Sequence, residues 1–121
     1  MAIYRLGWYQ GLGGRLVQQS GWVAASTQPD CPQDFSDGLI TCRWPPTVSF
    51  DVGTDWTSGL YVAVLTSAAG YKSAVPFTVR SDARRSTFLY VQPVTTYQAY
   101  NQWPGDGTGR NLYDGGVTVS F

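Results

Sequence analysis

From Thr47 onward, β-forming runs recur between turn signals at DVGTDW (51–56), TSAAGYK (66–72) and RSDARRS (80–86), and no window carries a convincing helical period with caps. That punctuation restricts the chain to antiparallel strands joined by short connections. Thr47–Val52 places Val48, Phe50 and Val52 on one face. Leu60–Leu65 is almost wholly apolar, as expected of a central strand covered on both sides. Val75, Phe77 and Val79 alternate with Pro76, Thr78 and Arg80, and Pro76 has no amide hydrogen, so this strand belongs at an edge or carries a bulge. Phe88–Gln92 is a further strand, and Val117–Phe121 closes the chain.

Upstream, Ile3–Tyr9 and Arg15–Ala25 read as strands around the turn Gly11–Gly14, where glycines can take positive φ. A Gly-rich loop invites comparison with phosphate-binding loops, but this one lacks their lysine and the helix that follows it. A single helical turn fits only around Tyr97–Trp103. The expected fold class is all-β, with two packed antiparallel sheets in one domain. A chain of 121 residues is long enough to bury a core.

Residue chemistry narrows the function. There is no histidine, every one of the eight acids is an aspartate, and every base except Lys72 is an arginine. Serine or cysteine nucleophiles activated by histidine are therefore impossible within the chain, as are histidine-based zinc sites. The spacing of the aspartates gives no paired-carboxylate hydrolase. The net charge of zero offers no footprint for nucleic acid or for an anionic membrane. No apolar run approaches the ~18 residues a membrane span requires. The opening MAIYRLGWY lacks the basic and apolar regions of a signal peptide and reads as a strand starting almost at Met1, as in a mature or shortened piece.

Cys31 lies in the polar loop Ser26–Gly38, and Cys42 in the strand-like LITCRW. With no other metal ligand nearby, the simplest reading is a disulfide, worth roughly 3 kcal/mol in the chain-entropy model. The other reading is two buried thiols. A disulfide implies an oxidising compartment, hence an extracellular or secreted protein.

The stretch Thr95–Asp114 holds the most concentrated chemistry: Tyr97, Tyr100, Asn101, Trp103, Asn111 and Tyr113 between glycines. Aromatics and amides on a scaffolded loop mark binding sites, and they also pack over the open ends of β-sandwiches. Within it, GDGTGRN offers Asp106 and Asn111 as oxygen donors in a faintly calcium-like turn, against the simpler reading of a Gly-rich hairpin.

Several runs together resemble the N,N-dimethylformamidase large (beta) subunit-like family: IYRLGWYQGLGGRLV, DWTSGLYVAVL, VPFTVR, and above all TTYQAYNQW followed by NLYD. The CP…C pattern followed by Trp44 is similar to that family's secreted members. The resemblance implies an immunoglobulin-like antiparallel β-sandwich of roughly seven to nine strands. It assigns the chain to the subunit's N-terminal part plus the junction that follows. Residues 1–94 would form the sandwich core, and 95–121 an aromatic loop and closing strand at the start of an α/β domain absent from this chain. The family's enzyme hydrolyses small N-substituted formamides at an iron held by two tyrosines and a glutamate.

Tyr100 is the position most similar to an iron-ligating tyrosine, with Tyr97, Tyr113 and Tyr61 as weaker matches. The glutamate would lie beyond Phe121, in an intact parent protein. Trp103-Pro104-Gly105-Asp106-Gly107 also departs from the family's WGG, and the loop after LYD is shortened.

Three function classes follow. The first is a non-catalytic sandwich domain, holding no cofactor itself, that supports a downstream α/β catalytic domain or subunit. The second is an extracellular module binding sugar or peptide through Tyr97, Tyr100, Asn101, Trp103 and Tyr113. The third is a structural domain that forms homo-oligomers by strand-edge pairing. The chain alone is expected not to be an enzyme.

Overall fold

In a computed structural model, residues 1–107, 109–116 and 118–120 are described. The regular elements are β1 (Ala2–Leu6), a single 3-10 turn (Tyr9–Gly11), β2 (Gly14–Gln19), β3 (Gly59–Thr66), β4 (Lys72–Val79) and a short helix, α1 (Val94–Ala99). The strands form one antiparallel sheet in the order β2-β1-β3-β4. The all-β class holds. The described residues contain this one four-stranded sheet. No helix is long and apolar enough to cross a membrane among them.

The chain divides into two compact units. The sheet unit comprises Met1–Ala25 and Thr47–Tyr90, and the hairpin unit Ser26–Pro46 and Val91–Phe121.

In the sheet unit, β1 and β2 are joined by the expected glycine turn. Gly11 and Gly13 take φ of 91° and 74°, the region glycine enters without a Cβ clash. Tyr9 and Gln10 also have positive φ, 36° and 57°, and Tyr9 is held by the Arg5 guanidinium, which donates to its hydroxyl at 2.7 Å. The strand pairing therefore stops at Leu6, short of the expected Tyr9, and β2 ends at Gln19 rather than Ala25.

β3 is central, as its apolar run predicted, but its burial alternates. Tyr61 and Ala63 are buried, while Leu60, Val62 and Val64 are only partly covered. One face alone is sealed. It pairs Ile3 with Ala63 and Arg5 with Tyr61 across β1, and Tyr61 with Phe77 across β4. β4 lies at the edge, with Pro76 opposite Val62, as the missing amide requires.

The sealed face is covered by a loop rather than a strand. Residues 47–58 were expected to begin with a strand at Thr47–Val52, but they form none. Only Phe50 of its three apolar side chains turns inward; Val48 and Val52 are exposed. Phe50 packs on Trp56 and Phe77, with ring centroids 6.4 and 5.6 Å apart, and Trp56 stacks on Tyr61 at 5.0 Å. The core is thus an aromatic stack beside Ile3, Ala63 and Val79. Phe88–Gln92 forms no strand either, and Phe88 and Leu89 are exposed. Of the closing strand, Val117 and Phe121 lie outside the described residues, and 118–120 are not in a strand.

Candidate functional site

The aromatic segment belongs to the hairpin unit. α1 begins after Pro93, whose carbonyl accepts the Tyr97 amide at 3.1 Å. A proline before the first turn suits this end, where no intrahelical partner is available for an amide. The helix ends at Tyr100 (φ −99°, ψ 0°), where the Tyr100 amide still bonds the Thr96 carbonyl at 3.2 Å.

Asn101 then turns the chain. Its Oδ1 accepts the Trp103 amide at 3.1 Å, and its Nδ2 donates to Gln98 Oε1 at 3.2 Å. Amide side chains favour such local bonds where a helix gives way to a turn.

The chain returns alongside the helix end. The Leu112 amide donates to the Ala99 carbonyl at 3.1 Å, and the Tyr113 ring stacks on Tyr100 with centroids 4.5 Å apart and planes 24° apart. Both rings stay open to solvent, at 60% and 71% exposure. Asn111 fixes this return. It is buried, its Oδ1 accepts the Tyr113 amide at 2.8 Å, and its carbonyl accepts Asp114 and Gly116 amides. That turn geometry favours the hairpin over a calcium loop, because the Asn111 side-chain oxygen already has a donor. Gln102 Nε2 donates to Asp114 Oδ2 at 3.1 Å, closing the segment.

Trp103 faces a different neighbour. Its ring meets Trp44 edge-on, at 5.7 Å and 80°, and Trp44 Nε1 donates to the Pro29 carbonyl at 2.8 Å. The cysteines are bonded, Cys31 to Cys42, with Cα atoms 4.8 Å apart. They close a small hairpin in which Gln33 pairs with Ile40 and the Asp34 amide bonds the Leu39 carbonyl at 2.8 Å. At its tip the Asp34 carboxylate accepts the Ser36 amide and hydroxyl at 2.8 and 2.6 Å. These bonds, the hydroxyl's first, hold the Asp34 carboxyl below its ordinary range.

Of the residues singled out from sequence, Tyr100, Asn101 and Tyr113 thus gather at one helix end, while Trp103 joins Trp44. Tyr97 rides on α1, half exposed. Tyr61 lies in the sheet unit, fully buried, its hydroxyl donating to the Thr57 carbonyl at 2.6 Å. Burial pushes its phenol above the ordinary range, with nearby Arg5 partly offsetting the rise. That makes it a core residue, poorly suited to serve as a phenolate ligand.

The sequence marked Trp44 only as part of the CP…C pattern, and neither its contact with Trp103 nor the structural role of Asn111 was foreseen.

A shallow pocket of about 370 Å³ lies between the disulfide hairpin and the 107–115 turn, lined by Gln33, Phe35, Asp37 and Arg110 among others. The Tyr100–Tyr113 pair does not line it. The chain has no glutamate or histidine, and among the described residues no three aspartates or cysteines gather into a metal-holding group beside these phenols. Phenols alone do not make a fitting iron site.

A family model described as N,N-dimethylformamidase beta subunit-like, C-terminal, matches residues 1–120. Its description names the C-terminal part of the subunit, where the sequence resemblance was drawn to the first part and its junction. No curated protein and no solved structure matches the chain.

Proposed function

We propose, from the premise that the chain belongs to the N,N-dimethylformamidase beta subunit-like family, that it is a non-catalytic β domain supporting a catalytic domain carried outside it. The observation that bears most weight is exposed area. The chain exposes 9619 Å². A compact monomer of 13.2 kDa exposes about 6,400 Å² by the usual scaling with mass. Even two separate bodies sharing that mass between the two units would expose about 7,700 Å². The exposed surface includes many large apolar side chains, among them Trp8, Trp22, Phe88 and Leu89. Surface of that kind is what a partner domain or subunit covers.

In this reading the domain's finer form is an immunoglobulin-like sandwich, with residues 47–58 lying where a second layer would pack. Tyr100 and its neighbours supply at most part of a metal site, whose carboxylate ligand belongs to the partner. The disulfide suits an oxidising compartment and hence secretion.

The test is formamide hydrolysis by the isolated chain with added Fe(II) or Fe(III). The expected result is no turnover above a Tyr100→Phe control. Turnover well above that control overturns the reading.

One observation favours a second reading. The open Tyr100–Tyr113 stack offers an aromatic face of the kind that sugars and peptides bind. A glycan array showing binding that disappears in Tyr113→Ala would favour it. Strand-edge pairing draws less support: β4 carries Lys72 and Pro76, and the β1–β2 register shifts between Ile3 and Tyr4. Both devices discourage strand addition.

A further inference from the structure

Residues 80–90 follow β4 and carry Arg80, Arg84 and Arg85 with a single acid, Asp82. Arg80 forks onto Asp82, with Nε and Nη2 each 3.1 Å from a carboxylate oxygen. Arg84 and Arg85 are left without a counter-ion among the described residues. They line a cleft of about 940 Å³, and Phe88, Leu89 and Tyr90 line it too. Phe88 and Leu89 are 88% and 89% exposed. Free guanidiniums beside bare apolar side chains suit a ligand that brings carboxylates and an aromatic group together.

The tip of the disulfide hairpin has that composition. Phe35 is 89% exposed, with Asp34 and Asp37 on either side and Asp30 just before the hairpin. The tip is held in shape by the disulfide, by the Asp34–Ser36 bonds and by the Leu39 amide donating to Asp37 Oδ1 at 2.9 Å. A preformed tip loses little freedom on docking. Each bonded aspartate keeps its second oxygen for an incoming guanidinium.

We propose that the cleft receives the 31–42 hairpin of a second copy of this chain. Phe35 packs on Phe88, Leu89 and Tyr90, and the aspartates meet Arg84 and Arg85. Zero net charge leaves no overall repulsion between copies. The contact is heterologous, since it joins the cleft of one copy to the hairpin of the next, and such contacts build rings or open chains. The inference does not depend on the proposed function.

Sedimentation velocity over a concentration series tests it. The wild-type chain is expected to form species beyond the dimer, with affinity falling about tenfold as salt rises from low to physiological ionic strength. A cleft variant, Arg84→Glu with Arg85→Glu, and a hairpin variant, Asp30→Ser with Phe35→Ser, change exposed side chains and are each expected to be monomeric. Each keeps the half that the other lacks, so mixing them one to one is expected to restore association that stops at the dimer. A wild-type chain that stays monomeric overturns the proposal. So do variants that assemble like the wild type, or a mixture that forms no dimer while both variants retain the wild-type circular dichroism.

Discussion

The rings of Trp56 and Tyr61 lie almost parallel, 7° apart in plane with centroids 5.0 Å apart, and the Tyr61 hydroxyl donates to the Thr57 carbonyl at 2.6 Å. One side chain of β3 therefore holds the loop 47–58 both by stacking and by a hydrogen bond. Tyr61→Phe should keep the stack and lose the bond, lowering stability by about 1 kcal/mol. Tyr61→Ala should cost about 3–5 kcal/mol, as for other large aromatics removed from a core. Urea unfolding followed by tryptophan fluorescence measures both.

The Tyr61 phenol also predicts a pH dependence. Its folded pKa is raised, so the folded chain keeps a proton that the unfolded chain releases. The contribution is intact below the unfolded value of about 10. It is lost as pH rises from there towards the folded value. In an ultraviolet titration, Tyr61 should ionise late and together with unfolding, and that late step should be missing in Tyr61→Phe.

Asp34 gives the opposite sign. Ser36 holds its carboxyl low in the folded state, so its contribution is present above the unfolded carboxylate value and fades as pH falls through the folded one. The site is fully exposed, so solvent keeps the effect small. Carbon-detected NMR titration should show Asp34 below the ordinary carboxylate range, and Ser36→Ala should return it upward.

Reducing the Cys31–Cys42 bond, or replacing both cysteines by serine, should cost roughly 3 kcal/mol in the hairpin unit. The change should appear in fluorescence from Trp44 and Trp103, whose contact depends on that hairpin. Amide exchange in β1 and β3 should stay as it was.

Two glycines separate space from flexibility. A Cβ at Gly109 would strike the Trp103 and Gln102 carbonyl oxygens, whereas one at Gly21 meets nothing within 4 Å. Gly109→Ala should destabilise the aromatic segment by about 1–3 kcal/mol. Gly21→Ala should be neutral or stabilise by up to about 1 kcal/mol. Thermal melts of the two variants make the comparison.

What could be read from sequence was set by residues with a single backbone meaning. Pro76 placed β4 at an edge, Gly11 and Gly13 placed a turn, and the cysteine pair placed a closed hairpin. Alternation was a poorer guide. Val48, Phe50 and Val52 have the period of a strand, yet only Phe50 is needed to seal the sheet, so the backbone stays unpaired. α1 was hidden by β-branched Val94, Thr95 and Thr96, whose local preference yields to the helix that follows Pro93. At the candidate site the segment was legible but its pairings were not. Tyr100 meets Tyr113 only because Leu112 bonds Ala99, and that contact spans the whole loop.

The chain leaves the sheet unit after Ala25, builds the hairpin, and re-enters the sheet unit at Thr47 before finishing in the hairpin unit. During synthesis from the N-terminus, Cys42 emerges before β3, so oxidation can close the hairpin while both units still lack their later segments. β3 must then slot in beside β1, which left the ribosome more than fifty residues earlier. By the same interleaving, a single proteolytic break between Ser26 and Tyr90 severs both units at once, unless it falls between Cys31 and Cys42, where the disulfide keeps the pieces joined.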